Sequence, residues 1–200
     1  MFGGMLMVKI SIIIPAYNSG AFIRNALESI PKRDDIEIIV INDGSNDNTC
    51  DIVSEFDVKI VNHVENLGIG QSRRDGIKVA SGEYIMFFDS DDTINGDNFN
   101  KAVEMLDGSD IVYYDLLQND GVVLHLSPDT KGIYPGAVKF IKKTYMDKFE
   151  YPNVRKYEDV VFNGMLHSVE HSDRYTNLIV VNYNFPRYDS TSAKWNRGEL

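Results

Sequence analysis

Apolar positions in the first half of the chain switch repeatedly between two periods. Residues 8–14 are a nearly uninterrupted apolar, β-branched run that stops at Pro15, as expected of a strand buried on both faces of a parallel sheet. Ala21, Phe22, Ala26, Leu27 and Ile30 then recur at helical spacing, and a second β-branched run over residues 36–41 ends in the turn-forming Asn42-Asp43-Gly44-Ser45. Asp47 is placed to cap a helix reaching about residue 56, and residues 58–61 read as a short strand. Ile69, Arg73, Ile77 and Ala80 share one face of a further helix, which Gly82 is expected to close. Residues 83–88 form a strand that runs directly into Asp89-Ser90-Asp91-Asp92. Strands alternating with helices predict an α/β fold with an open, mostly parallel central sheet flanked by helices.

Beyond Thr93 the pattern loosens. It predicts a helix over residues 97–106, a strand over 110–117, a hairpin around Asn119-Asp120-Gly121, helices over 137–146 and 160–169, and a last strand over 177–183. A chain of 200 residues suits one hydrophobic core, and neither repeats nor linker composition interrupt it. Residues 1–200 therefore read as one domain with two halves, 8–93 and the less regular 94–200.

Composition narrows the function. The chain is 43% apolar and 25% charged, and no stretch approaches the ~20 consecutive apolar residues of a membrane span. Met1 to Met7 carry no basic segment, so no export signal is expected. The lone Cys50 has no internal disulfide partner and suits a reducing, cytoplasmic setting. A net charge of −10 argues against nucleic acid, whose phosphates need a surplus of Lys and Arg. It leaves room for a small phosphorylated ligand, because a divalent cation held by carboxylates turns an acidic pocket into a phosphate site. Nothing in the pattern fixes an oligomeric state.

Three carboxylates within four positions at a strand end repel one another unless a cation offsets them. Mg²⁺ and Mn²⁺ prefer oxygen ligands, and ligands of open α/β sheets bind beyond the carboxyl ends of the strands. An isolated Asp-x-Asp is more often a solvated turn. Here three other segments fall at the same end of the predicted sheet: Pro15-Ala16-Tyr17-Asn18, Asn42-Asp43-Gly44-Ser45 and Asn66-Leu67-Gly68-Ile69-Gly70. Asp43 can accept from a base N–H, Tyr17 offers an aromatic face, and Arg73 can pair with an anionic or carbonyl oxygen, which are the needs of a nucleotide.

In order and spacing these segments resemble glycosyltransferase family 2. The resemblance runs from Ile10 to Asp92, through Ser11-Ile12-Ile13-Ile14-Pro15-Ala16-Tyr17-Asn18, Ile39-Val40-Ile41-Asn42-Asp43-Gly44-Ser45, Asn66-Leu67-Gly68 with Arg73, and Gly82-Glu83-Tyr84-Ile85 before the aspartates. It implies the GT-A fold and an inverting, metal-dependent transfer from a nucleoside-diphosphate sugar, of UDP type, to a saccharide or lipid-linked glycan. Pro15, Ala16, Tyr17, Asn18, Asp43 and Arg73 would line the nucleotide, with Asp89 at its ribose side and near the metal. Asp91 would ligate Mn²⁺ or Mg²⁺. Arg74 stands where the family often has asparagine. In the second half Glu158-Asp159 resembles the family's Glu-Asp motif, which makes Asp159 the base that takes the acceptor proton. Glu158 and Asp92 would contact donor sugar or acceptor. The alternative for Asp159 is a helix cap. A lipid-linked acceptor implies contact with the membrane surface, although the sequence shows no amphipathic anchor.

Two other readings of the same residues stay open: a nucleotidyltransferase, against which the chain lacks a basic glycine-rich loop, and a non-catalytic sugar-nucleotide binding module. A long processive synthase is not expected, since the chain has neither membrane helices nor Gln-x-x-Arg-Trp. His63, His125, His167 and His171 show no convincing ligand spacing, and the i, i+4 pair of His167 and His171 is not read as a zinc site. Arg187 and Tyr188 fall in a stretch loosely like the family's acceptor region, and Trp195 is either a sugar platform or a packing residue.

Overall fold

The structure, a computed structural model, describes residues 8–127, 139–154 and 157–184. Met1 to Met7, the start of the helix expected from residue 137, and Arg187, Tyr188 and Trp195 lie outside them. The described residues form a nine-stranded sheet in the order β3-β2-β1-β4-β8-β6-β9-β5, with β7 paired to β6. The strands of its first half are β1 (Ile10–Ala16), β2 (Ile36–Asp43), β3 (Lys59–His63) and β4 (Tyr84–Phe87). They are mutually parallel. The helices between them are α1 (Ile23–Ser29), α2 (Thr49–Val53) and α3 (Ile69–Val79). A strand buried on both faces needs apolar side chains in both directions. Accordingly Ile10, Ile12 and Ile14 of β1 pack into one core with α1 and α2, while Ile13 enters the core on the opposite face beneath α3.

The second half adds β5 (Thr93–Ile94), α4 (Gly96–Glu104), β6 (Ile111–Gln118), β7 (Val123–Leu124), β8 (Lys139–Lys142), α5 (Lys143–Met146), α6 (Glu158–Leu166) and β9 (Asp173–Tyr183). β8 enters antiparallel between β4 and β6, and β9 runs parallel to β6. The hairpin at Asn119-Asp120-Gly121 is present, with Gly121 at φ +84°. The helix expected over 137–146 is not: within the described residues 139–142 are strand and only 143–146 are helical. Phe140 and Ile141 point to opposite cores in the gap between β4 and β6, and that pairing overrides the local helical spacing. Two smaller corrections concern boundaries. Gly82 does not close α3, which ends in the extended Ala80. Instead a Cβ on Gly82 would meet the Ser11 amide nitrogen at 2.6 Å, so it permits a close approach to β1. The helix after Asp47 stops at Val53, short of Phe56.

At the end of the sheet away from the aspartates, Glu37 ties three segments together. It accepts from the Ser11 and Ser81 hydroxyls, the Ser81 and Gly82 amides and the Lys59 ammonium. Burial pushes its pKa up, but the bonds from Lys59, Ser11 and Ser81 outweigh that and hold the carboxyl at about 2 instead of 4.5. Because the folded value is depressed, this stabilisation is complete above pH 4.5 and is lost as pH falls toward 2. Glu37→Gln should cost on the order of 2 kcal/mol at pH 7. In urea melts the gap to the wild type should narrow at pH 3; an equal gap would mean that charge is not its source.

Candidate active site

All four parallel strands end on the same edge, and their loops are fastened to one another. The Asn18 amide donates to Ser45 Oγ at 3.0 Å, and Asn18 Oδ1 accepts from the Asn46 amide at 2.8 Å, with Asn18 in the left-handed region at φ +48°. The Ser19 amide donates to Thr49 Oγ1 at 2.8 Å, and the Ser19 and Ser90 hydroxyls meet at 2.8 Å. Asp43 Oδ1 accepts from the Leu67 amide at 2.9 Å and Oδ2 from the Gly68 amide at 2.8 Å. Gly44, at φ +71°, lets the loop pass residues 65–66 so closely that a Cβ would lie 2.5 Å from the Glu65 carbonyl carbon. Residues 15–19, 42–49, 66–68 and 89–92 thus form one rim.

Within the rim the expected residues occupy different depths. Tyr17 is 48% exposed, whereas Ala16 and Asp43 are buried. Besides the two amides, Asp43 meets His63 Nδ1 at 2.7 Å, and His63 Nε2 stands 3.3 Å from Asp75. His63 therefore orients Asp43, a task that its spacing in the sequence did not reveal.

Arg73 is not at the surface of this rim. It is 2% exposed, with NH1 donating to Tyr151 Oη at 2.8 Å and Glu158 Oε1 at 3.0 Å, and NH2 donating to Asp89 Oδ1 at 3.0 Å. Its guanidinium also lies 5.3 Å from the Phe87 ring centroid. Its terminal nitrogens join the end of β4 to the start of α6. Arg74 acts alongside, donating to the Tyr151 carbonyl and pairing with Glu150, so it fastens the segment before α6.

That clamp brings the two halves together. Glu158 and Asp159 occupy the first turn of α6, where the positive end of the helix favours carboxylates. Burial raises the Glu158 pKa, Arg73 opposes this, and Asp159 and Asp89 add to the rise. Asp159 is half-buried and accepts from the Val160 amide at 2.8 Å, so it contributes to capping. Tyr183, at the end of β9, joins the group. Burial pushes its hydroxyl pKa up, and Asp89, Asp92, Asp91 and Asp159 all push the same way. Tyr183 and Tyr151 were not singled out from the sequence. Asp92 is buried, and its Oδ1 accepts from the Asn184 amide at 2.8 Å, so it anchors the end of β9 to the rim.

Among the described residues no three His, Cys, Asp or Glu side chains stand together as a metal cage. Asp89, with one oxygen given to Arg73, and the half-buried Asp91 form a sparse oxygen set. Such a set fits a hard cation that takes its other ligands from a diphosphate and water, not a closed protein site. His167 and His171 do not share a helical face, because α6 ends at Leu166. His167 meets Tyr113 Oη at 3.1 Å and His171 the Val169 carbonyl at 2.8 Å.

A parallel sheet with a strand-end rim, extended by mixed strands and by a helix whose first turn carries a facing carboxylate, is the GT-A class of fold. It superposes on Staphylococcus aureus TarS 1–349, solved with UDP-GlcNAc, at a TM-score of 0.81, covering 92% of this chain and 61% of that one at 23% identity. A mannosyltransferase from Pyrobaculum calidifontis, solved with GDP-Man and Mn²⁺, gives a TM-score of 0.74 over 94% of this chain and 60% of that one at 16% identity. The chain belongs to glycosyl transferase family 2, whose family model matches residues 11–172. Bacillus subtilis EpsH, named as a glycosyltransferase, is 44% identical over 95 residues, which are 44% of this chain and 27% of EpsH. The chain thus spans only about a quarter of that relative's length. No helix among the described residues is long and apolar enough to cross a membrane.

Proposed function

We propose that the protein transfers a sugar, with inversion, from a nucleoside-diphosphate donor of UDP type to a hydroxyl of a saccharide or lipid-linked glycan, in polysaccharide or glycoconjugate synthesis at the cytoplasmic side. The observation that carries this reading is the convergence of the rim at residues 15–19, 42–49 and 89–92 with Asp159, linked through Arg73 and Glu158. The UDP-GlcNAc complex of the TarS structure supports the donor class.

Residues 8–93 hold the nucleotide and residues 94–200 the acceptor. Tyr17 at the mouth of the rim stacks on the base, and Asp43, fixed by His63 and two amides, offers its remaining acceptor capacity to a base N–H. Asp89 and Asp91 would hold a divalent cation, which would supply Lewis-acid neutralisation of the diphosphate leaving group. Asp159 accepts the acceptor hydroxyl's proton as that oxygen attacks the anomeric carbon, and direct displacement inverts the centre. The rigid rim keeps donor and base in register, so little reorganisation is left for the chemical step.

Thermal shift with a panel of nucleotide sugars tests the donor side. UDP or a UDP-sugar with Mn²⁺ should raise the melting temperature by mass action, and chelation or Asp91→Asn should remove most of that rise. Indifference to chelation would count against the metal role of Asp89 and Asp91. Release of pyrophosphate in place of a nucleoside diphosphate would identify a nucleotidyltransferase.

A further inference from the structure

Lys139 opens β8 and is 1% exposed, yet its Nζ has no hydrogen-bond partner among the described residues. Burying an ammonium without a partner is among the costlier things a fold does, and Lys and Arg are rarely fully buried unless paired. Arg73, the other large buried cation, has three polar partners. Lys139 pairs in register with Tyr113 of β6, and its ammonium lies 5.9 Å from that ring's centroid. Because side chains alternate along a strand, it stands on the same face as Ile141. That face is the one covered by Phe162 and Leu166 of α6, the helix whose first turn holds Glu158 and Asp159.

The charges around it come from several elements. Arg73 of α3 and Asp159 of α6 act on Lys139, and Lys139 in turn acts on His167, which follows α6. Arg73 is committed to Asp89 and Glu158, and His167 to Tyr113. The anion acting on Lys139 is therefore Asp159. Asp159 itself faces Glu158 on its own helix, and Tyr151 and Tyr183 from neighbouring segments.

We propose that Lys139 is a positioning residue for Asp159: its buried ammonium, on the face covered by α6, supplies the counter-charge that holds the Asp159 carboxylate toward the acceptor. The proposal rests on the reading of Asp159 as the base. It explains why a buried cation without a hydrogen-bond partner is retained on this face. Burial pushes the Lys139 pKa down to about 7, with Arg73 pushing the same way and Asp159 pulling back. The support it gives Asp159 is thus present at acid and neutral pH and fades as pH rises past 7.

The test compares the pH profile of kcat/KM for the wild type, Lys139→Met and Lys139→Arg, with Asp159→Asn in parallel. Methionine keeps the bulk of the stem and removes the charge, so the variant is expected to fold, which a UDP-induced thermal shift checks. In Lys139→Met kcat/KM should fall about tenfold at pH 6, where the wild-type ammonium is charged. The variant and wild-type profiles should converge above pH 8, and Lys139→Arg should keep most of the wild-type rate at pH 6. The same fractional loss at every pH, or no loss, would overturn the proposal and leave Lys139 a packing residue. If Asp159→Asn keeps its turnover, the base reading itself fails and takes the proposal with it. If Asp159→Asn is inactive while Lys139→Met shows no loss confined to pH below 8, only the role of Lys139 fails.

Discussion

Asp159→Asn should lower sugar transfer by about three orders of magnitude, within the range that a positioned general base contributes, while UDP binding stays unchanged. Asparagine has nearly the same size, and its side-chain oxygen can still accept from the Val160 amide, so the start of α6 should survive. Losing one carboxylate at a helix N-terminus costs at most about 1 kcal/mol, too little to unfold a domain. The donor-side residues, Tyr17, Asp43 and Asp91, lie on loops fastened independently of Asp159. Initial rates at saturating acceptor would read the first effect, and UDP-induced thermal shift the second. Turnover within tenfold of the wild type would remove Asp159 from the mechanism and make capping its whole task. Loss of UDP binding together with turnover would point to collapse of the clamp on Arg73, not to missing proton transfer.

The parallel half was legible because its signals are local. Residues 12–14 and 38–41 are unbroken β-branched, apolar runs, as a doubly covered strand requires, and each leads into a loop of turn-forming residues. The Glu158-Asp159 start of α6 was legible for the same reason. The other features depend on partners far away in the chain. Lys139 sits in Lys-Phe-Ile-Lys-Lys, where nothing local separates a buried lysine from the ones beside it; the groups that act on it are residues 73, 113 and 159. His63 takes its role from Asp43 and Asp75, which approach from either side only after β3 has paired with β2. Arg73 is the instructive middle case. Its place on the helical face of Ile69, Ile77 and Ala80 was visible, and that face is the buried one, so the pattern already placed the guanidinium under the site. Its ion pairs with Asp89 and Glu158 depend on residues far along the chain and were not visible.

Arg73→Met should be the most destabilising single change at the site, by about 3–5 kcal/mol, the usual cost of removing one member of a buried ionic group. The loss would not come mainly from missing attraction. It would leave the Asp89 and Glu158 carboxylates and the buried Tyr151 hydroxyl without the guanidinium that joins them. Arg73→Lys should rescue only part of this, because one ammonium cannot reproduce a fork that reaches three partners in two directions. The pH dependence separates this cause from lost packing. Burial already pushes the Glu158 carboxyl up, with Arg73 as the main opposing influence. Without Arg73 the folded-state pKa rises further above the unfolded one, so stability is highest where Glu158 is protonated and is lost as pH rises through that value. Urea midpoints of Arg73→Met should therefore move back toward the wild type between pH 7 and pH 5, whereas a deficit constant over that range would assign the loss to the contact with Phe87 and Tyr151. Because the same guanidinium ties the end of β4 to α6, even the folded fraction of the variant should transfer sugar slowly, with Asp159 no longer held against the donor rim.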